Sequence, residues 1–121
     1  MKIWFNPACS KCIAATTALD EAGVSYSVRR YLDEPPTVDE LRAVLEKLHL
    51  EPWDVARTGE PAAEEIGLAS FPRDEASRER WLEAMAANPS LIERPIMTAQ
   101  DGTTVVGRTK EALDTVIDAE R

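Results

Sequence analysis

The stretch Phe5-Asn-Pro-Ala-Cys-Ser-Lys-Cys12 contains both cysteines of this 121-residue chain, spaced as Cys-x-x-Cys. The apolar run that leads into it is predicted to be a strand. Pro7 ends this strand because proline has no N–H group to donate to a sheet. A segment suited to a helix follows, so we expect Cys9 at a helix N-terminus, where unpaired N–H groups and the helix dipole stabilise a thiolate. Such a thiol has a lowered pKa and is a nucleophile at neutral pH, and Lys11 adds positive charge.

Length, composition and charge limit the class of protein. A chain of 121 residues predicts one domain, 1–121, that buries its own core. The net charge of −8 argues against direct binding of nucleic acid, which needs a basic surface. We find no apolar run near the roughly 18 residues that span a bilayer and no secretory signal, so no membrane association is expected. Cys-x-x-Cys in such a chain suits a reducing compartment, and we expect a cytoplasmic location.

The hydrophobic pattern predicts an α/β fold. A strand over 2–5, a helix from about Ser10 to Gly23 and a strand over 26–32 form a βαβ unit with parallel strands. Near the C-terminus, two short strands flank Asp101-Gly102, a strong hairpin signal. Thr109 then caps a last helix, which completes a ββα block.

The segment over about 37–88 is predicted to be a helical insertion between these blocks. Thr37 and Glu40 form a capping box before an apolar pattern with helical spacing. Pro61 and Gly67 bound a short helix, and Asp74 is the expected N-cap of a third helix. The region around residues 54–59 is interpreted as a loop or helix end.

This order of elements, with Cys-x-x-Cys between the first strand and the first helix, resembles the thioredoxin fold with an inserted helical segment. Several motifs occur in a fixed order along the chain: Asn6-Pro-Ala-Cys9, Tyr31-Leu-Asp-Glu-Pro-Pro36, Arg57 before Glu60-Pro61, Ile92-Glu-Arg-Pro-Ile96, Asp101-Gly102 and Arg108. Together they resemble the glutaredoxin-coupled arsenate reductase family over nearly the whole chain.

The resemblance implies a role for each matching residue. Cys9 falls on the family's nucleophile, and Arg57, Arg94 and Arg108 fall on the arginines that bind arsenate and the thiol-arsenate intermediate. Pro95 falls on a proline that is usually cis and lies beside the nucleophile. Asn6, Pro7 and Lys11 are the supporting residues of the cysteine loop. The resemblance implies no metal and no bound cofactor, with glutathione or another low-molecular-weight thiol as reductant and glutaredoxin or a thioredoxin-like protein as partner.

Elementary chemistry agrees with these roles. Arsenate is a tetrahedral oxyanion, and guanidinium groups bind such anions through paired N–H donors while staying charged. A helix N-terminus offers further backbone donors to the same anion. The alternatives are a structural ion pair of Arg94 with Glu93 or another carboxylate, and solvated surface charges at Arg57 and Arg108.

Two positions depart from the family pattern. The family usually has a histidine directly before Asn-Pro, where this chain has Phe5, and the only histidine, His49, is interpreted as a surface residue at a helix end. The family usually has one cysteine in this loop, whereas this chain also has Cys12. Cys12 is either a resolving cysteine that closes a disulfide with Cys9 or a small buried residue of the helix.

Three functions remain open. The first is an arsenate reductase or a close relative, in which Cys9 attacks arsenate and a thiol releases arsenite. The second is a general disulfide oxidoreductase that uses Cys9 and Cys12. The third is a redox-sensing regulator of the Spx type, which binds RNA polymerase rather than DNA.

Overall fold

The computed structural model describes all residues, Met1–Arg121, and contains four strands and five α-helices. Their order is βαβ, a helical block and ββα, as predicted. The bounds are β1 (Lys2–Phe5), α1 (Ser10–Glu21), β2 (Ser27–Arg30), α2 (Val38–Leu48), α3 (Pro61–Ile66), α4 (Arg78–Ala87), β3 (Ile96–Thr98), β4 (Thr104–Val106) and α5 (Lys110–Glu120). None of the helices combines the length and the apolar character needed to span a membrane.

The chain divides into two compact units. The first contains Met1–Glu34 and Arg94–Arg121, and the second is the continuous segment Pro35–Glu93. The helical segment predicted over 37–88 lies within the second unit. The βαβ and ββα blocks, which are distant in sequence, together form the first.

The first unit is built on a four-stranded sheet with the order β2-β1-β3-β4. β1 is parallel to β2, whereas β3 is antiparallel to both β1 and β4. This topology confirms the predicted thioredoxin-like fold. Because β1 and β3 run in opposite directions, the residues after Phe5 and those before Ile96 lie at the same edge of the sheet. The residues that follow Val106, the partner of Ile96, lie there too.

Helices α1 and α5 pack together with one face of this sheet. Ile3 of β1 and Met97 of β3 are fully buried against Leu19 of α1 and Val116 of α5. Phe5 lies partly buried against the same cluster, so Ile3 and Phe5 share a face as the alternating pattern predicted. The N-terminus of α1 therefore has a fixed position relative to the sheet edge.

The second strand is shorter than expected. The sequence predicted a strand over 26–32, but β2 ends at Arg30 and a turn follows, in which the N–H groups of Asp33 and Glu34 donate to the Arg30 carbonyl. Tyr31 lies in this turn and is only 1% exposed. Aromatic residues are common in strands, which is why the strand was predicted to include Tyr31. In the structure this side chain is buried in a turn rather than in the sheet.

The second unit follows the predicted caps at α2 and α3 but not at α4. Thr37 and Glu40 form the capping box of α2, and α3 begins at Pro61 and ends before Gly67, which has a φ of 65°. Asp74 caps a 3₁₀ turn rather than α4 itself, which begins four residues later. His49 is the exposed C-cap of α2, in agreement with its interpretation as a helix-end residue.

The region around 54–59 is more ordered than a simple loop. Residues Pro52–Asp54 form a 3₁₀ helix, and Ala56 pairs with Ile92 in an isolated antiparallel bridge. Two hydrogen bonds form this bridge, from Arg57 N–H to the Leu91 carbonyl at 2.7 Å and from Glu93 N–H to the Val55 carbonyl at 2.8 Å. The backbone of Arg57 is thereby fixed within the second unit.

Gly107 provides a test of the packing in the first unit. A Cβ at this position would overlap Met97 Sδ and lie 3.3 Å from both Pro95 and Leu113. We expect Gly107→Ala to lower the free energy of unfolding by about 1–3 kcal/mol, as overpacking of a filled core does. Urea denaturation would measure this change.

Gly59→Ala is the matched control for this substitution. Its Cβ would meet no atom within 4 Å, so its free energy of unfolding should stay close to that of the wild type. Equal stability of the two variants would show that the contacts around Gly107 are not close.

Candidate active site

Cys9 lies where β1 turns into α1. Its N–H donates to the Asn6 carbonyl at 3.0 Å, and its own carbonyl accepts from Ile13 N–H at 3.1 Å as the first bond of the helix. Its backbone is extended (φ −96°, ψ 122°), as is usual for an N-cap residue. The side chain of Cys9 therefore begins at the N-terminus of α1, as the sequence predicted.

The surroundings of Cys9 favour the thiolate. Burial opposes ionisation, since the residue is 6% exposed. The backbone N–H of Cys12, the Arg94 side chain and the backbone N–H of Lys11 act in the opposite direction, and the balance lowers the pKa of the Cys9 thiol to about 7. The nucleophilic thiolate is therefore far more abundant near neutral pH than it is for an ordinary cysteine.

Cys12 has the opposite character. It is fully buried, and burial raises the pKa of its thiol to about 11, although the Asn6 backbone N–H, 3.5 Å from Cys12 Sγ, opposes this effect. The negative charge of Cys9 raises the pKa further, and the two thiols share a hydrogen bond. At neutral pH the pair thus consists of one reactive thiolate and one neutral thiol.

Arg94 and Arg108 meet at the same edge of the sheet. The Arg94 side chain hydrogen-bonds Cys9, and Arg108 Nη1 donates to the Arg94 carbonyl at 2.9 Å. The Arg94–Pro95 peptide bond is cis, and the Pro95 carbonyl accepts from Gly107 N–H at 2.8 Å. Hydrogen bonds between the start of β3 and the end of β4 thus hold the two arginines next to each other.

Arg57 belongs to the second unit. Its guanidinium pairs with Glu60 at 3.0 Å, and its side chain is 27% exposed. The first unit thus brings together Cys9, Cys12, Arg94 and Arg108, whereas Arg57 is fixed among the residues of the other unit.

The supporting residues of the cysteine loop act through the backbone. Asn6 Oδ1 accepts from Ala8 N–H at 2.9 Å and so shapes the turn, while Pro7 is exposed at its tip. Lys11 has an exposed side chain, and its backbone N–H is among the groups that lower the pKa of Cys9. Phe5, which stands where the family usually has a histidine, packs against the hydrophobic cluster of the first unit and so contributes to the core.

Tyr31 belongs to one of the sequence motifs above but had no predicted role. The structure places this tyrosine among the site residues, where it directly follows β2 next to Asn6 and where the charges of Arg94 and of the Cys9 thiolate act on its hydroxyl. The signal available in the sequence was an aromatic residue with a polar tip directly before an exposed Leu-Asp-Glu turn.

A cavity of about 560 Å³ lies elsewhere, between α2 and α4 of the second unit. Two ion pairs line this cavity, Arg42 with Glu79 at 2.6 Å and Arg78 with Glu51 at 2.7 Å. None of the predicted site residues lines it. The cavity and the thiol chemistry are therefore separate features.

Comparisons with known proteins agree with the geometry. The model of the ArsC family matches residues 4–116. An uncharacterized protein encoded in the glnII region of Streptomyces viridochromogenes is 55% identical over 93% of this chain and 95% of its own. An arsenate reductase of Neisseria meningitidis serogroup A is 37% identical over 97% of both chains. The solved structure of an arsenate reductase from Vibrio cholerae has a TM-score of 0.75 and 29% identity over 98% of both chains.

The low pKa of Cys9 gives a direct test of the site. The rate of Cys9 alkylation by iodoacetamide should rise with pH and reach half its maximum near pH 7, because only the thiolate reacts. Arg94→Ala removes a hydrogen bond to the thiolate and should move the midpoint upward by about one pH unit. Mass spectrometry of the modified peptides would follow Cys9 separately from Cys12.

Arg73→Ala is the control, since Arg73 is an exposed arginine of the second unit and its loss changes the net charge equally. Its midpoint should stay near pH 7. A midpoint that moves equally in both variants would mean that net charge, rather than the Arg94 contact, sets the pKa.

Proposed function

The chain belongs to the ArsC family, and from this membership and the geometry around Cys9 we propose that it is an arsenate reductase-like thiol oxidoreductase. The observation that carries the proposal is a buried thiol of lowered pKa at a helix N-terminus, in hydrogen-bonding contact with Arg94. A thiolate with an arginine beside it suits attack on an oxyanion, because the guanidinium offsets the charge of both reactants.

In the first step, Cys9 Sγ attacks the arsenic(V) atom and forms a sulfur–arsenic bond. One arsenic-bound oxygen leaves as water, with protons from the oxyanion and the solvent. Arg94 and Arg108 bind the remaining oxygens, and Arg57 adds a third guanidinium, as the family motif implies. N–H groups at the start of α1 supply further donors to the anion.

In the second step, a thiol attacks Cys9 Sγ of the adduct. A disulfide forms, the sulfur–arsenic bond breaks, and its electron pair leaves with arsenic, which is reduced from arsenic(V) to arsenic(III) and released as arsenite. The attacking thiol is glutathione, another low-molecular-weight thiol or Cys12. Glutaredoxin or a thioredoxin-like protein then reduces the disulfide. Such reductants fit the cytoplasmic location that the sequence suggests.

Arsenate turnover by three single variants would test this function. Cys9→Ser should reduce arsenite release to background, because it removes the nucleophile. Arg94→Ala should lower kcat/KM by about 10²-fold, as the loss of one donor to a developing anion does. Cys12→Ser should keep its activity with glutathione and glutaredoxin if resolution is external, and lose it if Cys12 resolves.

Wild type and Arg73→Ala serve as controls, with glutathione–glutaredoxin and thioredoxin as separate reductant systems. Arsenite release should be equal for these two proteins. The proposal is wrong if the wild type releases no arsenite with either system while its thiols remain free.

The contact between the two thiols favours a second candidate, a general disulfide oxidoreductase. Cys9 and Cys12 share a hydrogen bond. Their pKa values of about 7 and about 11 suit Cys9 as the attacking thiol and Cys12 as the resolving thiol. In this function Cys9 attacks a substrate disulfide, and Cys12 then attacks the mixed disulfide and releases the reduced product.

Insulin reduction separates the two candidates. Disulfide exchange does not need an oxyanion clamp, so a general oxidoreductase should keep its activity within a few-fold in Arg94→Ala at pH 8 and lose it in Cys12→Ser. The measurement is the turbidity of reduced insulin. Failure of the wild type to reduce insulin, while arsenate turnover proceeds, would exclude this function.

A further inference from the structure

Tyr31 is a buried polar residue that the chemistry above does not use. It is 1% exposed and lies in the turn directly after β2. Tyr31 and Asn6 directly follow the paired residues Arg30 and Phe5 of the parallel strands β2 and β1, so they are neighbours at the end of these strands. The Asn6 side chain acts as a hydrogen-bond donor to the Tyr31 hydroxyl, and the charges of Arg94 and of the Cys9 thiolate act on the same hydroxyl. Burial of a hydroxyl costs free energy unless it is hydrogen-bonded, so the contact with Asn6 stabilises the buried position of Tyr31.

Asn6 is the centre of the cysteine loop. Its carbonyl accepts from Cys9 N–H at 3.0 Å, its N–H donates to Cys12 Sγ at 3.5 Å, and its Oδ1 accepts from Ala8 N–H at 2.9 Å. The Asn6 side chain thus uses its oxygen within the loop, and its amide nitrogen is the group that donates to the Tyr31 hydroxyl oxygen. Among these contacts, Tyr31 alone comes from outside the loop and helix that carry the cysteines.

We propose that Tyr31 is a positioning residue for the cysteine pair, which acts through Asn6 and holds the loop in the conformation that activates Cys9. The Cys9 thiolate depends on the alignment of N–H groups at Lys11 and Cys12, and this alignment depends on the turn that Asn6 closes. Tyr31 anchors that turn to the end of β2, the neighbouring strand of the sheet.

This role rests on the proposed thiol chemistry, but it does not depend on which substrate Cys9 attacks. The groups that face Cys9 are Cys12, Arg94, Tyr31 and the N-terminus of α1. A phenol whose pKa burial raises to about 12 stays neutral throughout the range in which Cys9 titrates. Loss of the hydroxyl therefore changes no charge, and a change in Cys9 reactivity reports on geometry.

The test is a double-mutant cycle on Tyr31 and Asn6, read out as the pH midpoint of Cys9 alkylation by iodoacetamide. Tyr31→Phe should raise the midpoint by about one pH unit, which lowers the rate at pH 6 by about tenfold. Asn6→Ala should raise it by at least as much. The double variant should match Asn6→Ala, because two residues that act through one contact are not additive.

Tyr26→Phe is the matched control, since Tyr26 is the only other tyrosine and its hydroxyl bonds Asp20 at 3.0 Å in the same unit. Its midpoint should equal that of the wild type. Thermal unfolding of all variants separates a local effect from loss of the fold, because a merely structural role would lower Tm and leave the midpoint near pH 7.

An unchanged midpoint in Tyr31→Phe, or fully additive shifts in the double variant, would overturn the proposal. Neither result bears on arsenate turnover, since alkylation needs no oxyanion. Absence of arsenate turnover together with a shifted midpoint would instead contradict the proposed substrate and leave the role of Tyr31 intact.

Discussion

The hydrogen bond from Cys9 N–H to the Asn6 carbonyl, 3.0 Å long, closes the turn that joins β1 to α1. Because of this turn, the chain leaves the sheet and enters the helix within four residues, and Cys9 becomes the N-cap. The unpaired N–H groups of the first helical turn then lie beside the Cys9 sulfur. Burial and these donors act in opposite directions on the thiol, and the donors together with Arg94 outweigh burial.

The antiparallel pairing of β1 with β3 supplies the second half of the site. Trp4 pairs with Ile96, so the segment that contains Arg94 and the cis Pro95 meets the loop that follows β1. The hairpin of β3 and β4 then brings Arg108 to the same edge, where it bonds the Arg94 carbonyl. In a chain with a net charge of −8, this local gathering of arginines creates a site suited to an anion.

Sequence reasoning succeeded where a local chemical rule decides the structure. The capping box of Thr37 and Glu40, the Asp101-Gly102 turn and the helix start at Ser10 are each fixed by a few neighbouring residues, and the structure has all of them. It was less accurate where tertiary packing decides. The strand predicted as far as Leu32 ends at Arg30, because Tyr31 is buried beside the cysteine loop.

The sequence by itself determined the order of elements, the thioredoxin-like class and the position of Cys9 at the N-terminus of the first helix, since strand, proline and helix signals adjoin that cysteine. The difference between the two thiols was decided only by the tertiary structure, because burial and hydrogen bonds from distant residues set each pKa. The same holds for the contact of Arg94 with Cys9 and for the place of Tyr31. Arg94 and Tyr31, 85 and 22 positions from Cys9, lie near the cysteine loop only because β3 and β2 both flank β1.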